Sequence, residues 1–131
     1  MSDLVQLTID SDVAIITINN PPVNAFSPAV GDGIANALDN IEGNERIKAA
    51  VVIGAGRTFV AGADITEFGK MTSGQASRTS GLPLLLDRIE DFSKPIVMAI
   101  HGVAFGGGLE LAMAGHYRLA VRNAQVGQPE V

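Results

Sequence analysis

Apolar and polar positions change their period several times along this chain, and each change marks an element. Over residues 4–9, Val5, Leu7 and Ile9 fall on alternate positions, which predicts a strand with one buried face. Asp10, Ser11 and Asp12 supply turn residues, and residues 14–18 follow as a second strand, so the two segments predict a hairpin. The segment "NNPPVNAFSP" breaks the pattern and reads as a loop, because two prolines block regular pairing. Ser27 then offers an N-cap hydroxyl, and Pro28 suits the first helical position. Val30, Ile34, Leu38 and Ile41 recur at helical spacing, and Gly43 closes that helix.

Two short apolar runs, residues 48–53 and 95–100, predict buried strands. Each leads into a glycine-rich turn, "GAGRTFVAGADI" and "HGVAFGGGLE", and then into a helix. The first of those helices is a short one near Ile65. Residues 71–80 are small and polar and read as a mobile loop. Leu82, Leu85, Leu86, Ile89 and Phe92 form a second amphipathic stripe, and residues 118–121 a short strand. Strands alternating with helices predict an α/β fold. There is no low-complexity segment and no exact internal repeat. The final "QVGQPEV" reads as the middle of a loop, so residues 1–131 are expected to be part of a domain.

Composition narrows the function classes. At 131 residues the size suits one domain, and 47% hydrophobic content supplies a sizeable core. Only 18% of residues are charged, which excludes a disordered or coiled-coil chain. A net charge of −5 argues against general affinity for nucleic acid or anionic membrane. Without cysteine there is neither a disulfide framework nor a thiolate metal site. The two histidines, His101 and His116, are too far apart in sequence to suggest a metal site, and none is expected. No stretch reaches the roughly 18 apolar residues of a membrane span. "MSDLVQLTID" carries no basic n-region, so a soluble cytoplasmic protein is expected.

The two strand–glycine–helix segments hold the candidate chemistry. A helix start leaves backbone N–H groups without partners and carries the positive end of the helix dipole. Two such starts converging on one oxygen would form an oxyanion hole. Triple glycine at residues 106–108 serves equally well for close packing of helix on strand. "GAGRTF" lacks the lysine and hydroxyl of a phosphate loop. Glu110 lies between Leu109 and Leu111 on a helix expected to be largely buried, where an unpaired carboxylate is costly. Taken alone it reads as facing solvent or pairing with an arginine. Glu130 alone reads as an ordinary loop residue, His101 as hydrogen-bonded structure and Asp64 as a helix cap. Arg57 either solvates the surface or meets a phosphate.

Taken together, "FVAGADI" (59–65) and "GVAFGGGLELAMAGHYRLAV" (102–121), followed by "QPEV" (128–131), resemble the crotonase superfamily of enoyl-CoA hydratases and isomerases. "VAIITINNPPVNAFS" (13–27) is similar to that family's first hairpin and substrate loop, in the variant of the hydratase portion of multifunctional fatty-acid β-oxidation enzymes. The resemblance implies a crotonase-type spiral of repeated ββα units, here stopping before the C-terminal helices that close the acyl pocket. It implies that the N–H groups of Ala63 and Gly107 hold the thioester oxygen of an acyl-CoA. Glu110 and Glu130 then match the two catalytic glutamates, a pair characteristic of the hydratases. Glu110 would activate water for attack on Cβ of a 2-enoyl thioester, and Glu130 would deliver the proton to Cα.

By the same resemblance the adenine end of CoA lies near Val23, Ala25 and Ala61. Asp64, Ile65, Phe105 and Pro129 complete the substrate-binding set, with the acyl part passing Ile65 and Phe105. No cofactor is implied beyond the coenzyme A thioester, which is the substrate. Assembly as a homotrimer or hexamer, or within a multifunctional chain, is implied too. The alternatives are a Δ3-Δ2 enoyl-CoA isomerase, which needs Glu130 alone, and a non-catalytic RNA- or partner-binding module of the same fold.

Overall fold

The computed structural model describes residues 4–62 and 81–128. Its first two strands, β1 (Val5–Asp10) and β2 (Val13–Ile18), form the expected antiparallel hairpin, closed by Ser11 and Asp12 between Asp10 and its partner Val13. Ser11 has φ 58°, a left-handed turn conformation. Ile9, expected on the buried face, is 51% exposed near the hairpin tip.

Helix α1 (Pro28–Glu42) starts and stops as the sequence predicts. The Ser27 hydroxyl accepts the Val30 N–H at 3.2 Å, and Gly43 closes the last turn by donating to the Asp39 carbonyl. A distant residue completes that end: Lys94 Nζ donates to the carbonyls of Ile41 and Asn44 at 2.7 and 2.8 Å. Val30, Ile34, Leu38 and Ile41 are fully buried, each worth roughly 1.5–3 kcal/mol of transfer free energy. Replacing Ser27 by alanine removes the cap bond at a buried position and is expected to cost about 1 kcal/mol. Urea unfolding should show this as a lower midpoint with an unchanged slope.

The chain then repeats one plan: a longer strand, a short strand, a helix. Strand β3 (Ala49–Gly54) leads to β4 (Val60–Ala61), and α2 (Leu82–Glu90) comes later in the chain. Strand β5 (Ile96–Ile100) leads to β6 (Val103–Phe105) and α3 (Gly107–Ala114). Strands β7 (Tyr117–Ala120) and β8 (Gln125–Gly127) begin the plan again. The longer strands make a five-stranded sheet in the order β1-β2-β3-β5-β7, parallel from β2 onward. The short ones make a second, parallel sheet in the order β4-β6-β8.

Register aligns the core across the larger sheet. Ala14 faces Ala50, which faces Ile96; Ile16 faces Val52, which faces Met98; all six are buried. Helix α2 buries Leu85 and Ile89, and Phe92 just beyond it is buried as expected. Its Arg88 reaches back to α1, 2.8 Å from Asp39 and 3.3 Å from Glu42. His116 ties α2 to β5: the Ile96 N–H donates to its Nδ1 at 2.9 Å, so Nε2 carries the proton and donates to the Glu90 carbonyl at 3.0 Å.

Two expectations need correction. The tail expected as loop contains β8, and the "VAF" ahead of the triple glycine is β6. Strands of two or three residues are too short for a period to show. The short helix expected near Ile65 and the loop expected over residues 71–80 lie outside the described residues. Among the described residues no helix is long and apolar enough to cross a membrane.

Candidate active site

The three short strands end level. Ala61 is the register partner of Phe105, and Phe105 of Gly127. All three strands are parallel, so this row lies at the carboxyl ends of one small sheet. In open α/β sheets that is where ligands bind, because the chain leaves the sheet there and exposes its backbone groups. Two residues past the row stand Ala63, Gly107 and Pro129 in sequence. Ala63 and Pro129, with Asp64, Ile65 and Glu130, lie outside the described residues.

The three glycines after Phe105 do three different things. Gly106 has φ 55° and ψ −119°, a backbone conformation that side-chain-bearing residues rarely adopt. It lets the chain turn sharply from β6 into α3. Its N–H donates to the Gly127 carbonyl at 3.0 Å, and Gln128 Nε2 donates to its carbonyl at 3.5 Å. Gly108 is the packing glycine: a Cβ there would stand 2.0 Å from the Val60 carbonyl oxygen and 2.8 Å from its carbon. Helix α3 can therefore approach β4 only through a bare backbone.

Gly107 is the open one. Among the described residues a Cβ on it would meet only ordinary contacts, Leu82 Cδ2 at 3.6 Å and Phe26 Cβ at 4.0 Å. The first N–H groups of a helix have no acceptor within it. That of Gly106 is taken by Gly127, and that of Glu110 reaches the Gly106 carbonyl at 3.0 Å. Among the described residues those of Gly107, Gly108 and Leu109 find no acceptor outside the helix, and they stand at the positive end of its dipole. The packing reading of the triple glycine thus falls on Gly108.

Glu110 faces solvent, one of the two readings its residue type offered. It is exposed, on a helix whose buried residues are Gly108, Leu111, Ala112 and Ala114, while Met113 is 62% exposed. The cost of a carboxylate in apolar surroundings therefore does not arise. Glu110 follows Gly107 by three residues, which puts the two on the same side of α3.

Other expected substrate residues do gather here. Ala61 and Phe105 are half-buried partners across the small sheet. Val23 and Ala25 belong to the loop before α1, which runs beside β4: the Ala61 N–H donates to the Val23 carbonyl at 3.2 Å and the Phe26 N–H to the Gly62 carbonyl at 2.8 Å. The structure thus brings Val23, Ala25, Ala61, Phe105 and Gly107 to one end of one sheet. Among the described residues no group of three or more His, Asp or Glu side chains could hold a metal ion.

Sequence reasoning missed two residues that hold this end together. The Thr58 hydroxyl accepts the Val103 N–H at 2.7 Å and donates to the Val103 carbonyl at 3.1 Å, joining the approach to β4 to β6. Asn24 does the same for the loop, its side-chain amide bonding the Asn20 N–H and the carbonyls of Ala55 and Thr58. Their one sequence signal was asparagine in a proline-rich turn, a residue that tolerates left-handed backbone.

The profile of the Enoyl-CoA hydratase/isomerase family matches residues 8–131. The chain is 45% identical over 132 residues to the "Probable enoyl-CoA hydratase" of Bacillus subtilis, covering 97% of this chain and 50% of that one. It is 48% identical over 121 residues to the "Peroxisomal bifunctional enzyme" of Homo sapiens, covering 91% of this chain and 16% of that one. A crystal structure of an enoyl-CoA hydratase/carnithine racemase from Magnetospirillum magneticum superposes with a TM-score of 0.88 at 32% identity, over 98% of this chain and 50% of that one. The chain therefore spans half or less of the length of these relatives. With its alternating long and short strands, its level strand ends and a family match over nearly every residue, the chain belongs to the enoyl-CoA hydratase/isomerase family.

Proposed function

We propose that the native gene product carrying this sequence adds water to 2-enoyl-CoA thioesters, as a step of fatty-acid β-oxidation. The observation that carries this reading is the row Ala61–Phe105–Gly127 with the start of α3 directly behind it. The thioester oxygen gains negative charge as water adds at Cβ. N–H groups fixed before the reaction stabilise that charge without reorganising. Gly107 supplies one donor in this reading and Ala63 the other. Glu110 deprotonates the attacking water, and Glu130 returns a proton to Cα. The adenine end of CoA lies along Val23, Ala25 and Ala61, and the acyl part passes Ile65 and Phe105, with Asp64 and Pro129 beside them. The name of the Bacillus relative supports hydration, and a relative from Cucumis sativus, 42% identical over 123 residues and named "Glyoxysomal fatty acid beta-oxidation multifunctional protein MFP-a", supports a β-oxidation setting.

The test is direct. Crotonyl-CoA incubated with the native gene product should lose its enoyl-thioester absorbance at a rate proportional to enzyme. No loss, with a 3-enoyl-CoA converted instead, would replace hydration by isomerisation on the same scaffold. Salt-dependent RNA binding without either reaction would leave a binding module.

A further inference from the structure

The loop beside β4 is organised around one buried amide. Asn24 is 2% exposed, and its backbone has φ 56°. Its Oδ1 accepts the Asn20 N–H at 2.8 Å. Its Nδ2 donates to the carbonyls of Ala55 and Thr58, both at 2.9 Å. The Asn24 N–H returns to the Asn20 carbonyl at 2.8 Å, and Asn20 Nδ2 closes the ring on the Ala25 carbonyl at 2.8 Å. One side chain thus fastens the loop to itself and to the turn after β3. Val23 is left on the loop, 43% exposed, with its carbonyl paired to Ala61.

We infer that Asn24 is a positioning residue for the ligand's nucleotide end. It is buried against two carbonyls and acts through the backbone of Val23 and Ala25, which it holds in one shape beside Ala61. A preformed loop spares the ligand the cost of ordering it, so the effect belongs in affinity and not in the chemical step. The choice of ligand rests on the hydratase reading; the role of Asn24 is tested separately from it.

Two variants of the native gene product are compared with the unsubstituted protein. Asn24→Gly retains the left-handed backbone and deletes three bonds. Asn20→Ala deletes only the bond to the Ala25 carbonyl. Calorimetry with free CoA and kinetics with crotonyl-CoA and crotonyl-pantetheine, which lacks the adenine nucleotide, are the readouts. Asn24→Gly should weaken CoA binding and raise the crotonyl-CoA KM about tenfold, with kcat within about threefold. The crotonyl-pantetheine KM should stay unchanged, a split that a general loss of structure would not produce. Asn20→Ala should move the same constants the same way by about threefold.

Equal losses on both thioesters, or unaltered CoA affinity in folded Asn24→Gly, overturn the inference. If Asn24→Gly does not fold, unaltered affinity in Asn20→Ala overturns it and a weakened one supports it. An unsubstituted protein that does not bind CoA overturns it too. One that binds CoA but hydrates nothing retracts the hydratase reading, and weaker binding by Asn24→Gly then still supports the role of Asn24.

Discussion

Replacing Glu110 by glutamine in the native gene product should lower kcat for crotonyl-CoA hydration by roughly 100- to 10,000-fold, the usual worth of a positioned general base. Glutamine keeps the size of the side chain and its hydrogen-bonding reach, but it cannot take a proton from water. The residue is exposed and stands on the same side of α3 as Gly107, so water has access to it. Because the side chain is not packed into the core, the thermal midpoint should hardly change. That separation is the useful part of the result: a fall in kcat with an intact fold assigns chemistry to the carboxylate. A variant that hydrates at the full rate would remove Glu110 from the mechanism. An enzyme that isomerises a 3-enoyl-CoA equally well with either residue would assign the work to Glu130.

The second large effect is a contrast between adjacent glycines. Gly108→Ala should destabilise the protein by roughly 2–4 kcal/mol, because a methyl group 2.0 Å from the Val60 carbonyl oxygen forces α3 away from β4. Backbone stands in the way, so no rotamer change relieves it. Gly107→Ala should change stability by less than about 1 kcal/mol, since its methyl meets only ordinary contacts among the described residues and alanine favours helix. Its cost should appear in rate instead, up to the roughly 100- to 1000-fold that loss of one oxyanion donor brings. Urea unfolding and crotonyl-CoA hydration, measured on both variants, separate the two. Unchanged stability in Gly108→Ala would contradict the packing role. Full activity in Gly107→Ala would contradict the placement of the thioester oxygen.

How much of this was legible beforehand depended on where each signal resides. The Ser27-Pro28 start, the stripe from Val30 to Ile41 and the Gly43 stop are local, and they appear in the structure as expected. The glycine motif pointed to the right helix start. It did not say which glycine packs, which turns and which stays open, because that depends on the Val60 carbonyl lying against α3. Glu110 was expected to face solvent or an arginine despite its apolar sequence neighbours, and it is exposed. A helix presents adjacent residues to different sides, so Leu109 and Leu111 say little about where residue 110 points. Asn24 looked like one more polar residue in a loop until its partners, Ala55 and Thr58, were beside it.

By itself the sequence determined the elements that bury a face of their own: the hairpin, α1, α2, β3 and β5. Each of these has a period and end signals written within a few residues of itself. Only the tertiary structure decided the small sheet, its level ends at Ala61, Phe105 and Gly127, and the division of labour among the three glycines. Strands of two or three residues bury too little to form alone. They exist because β3, β5 and β7 set successive segments side by side, and partners distant in the chain complete the hydrogen bonds that local sequence cannot.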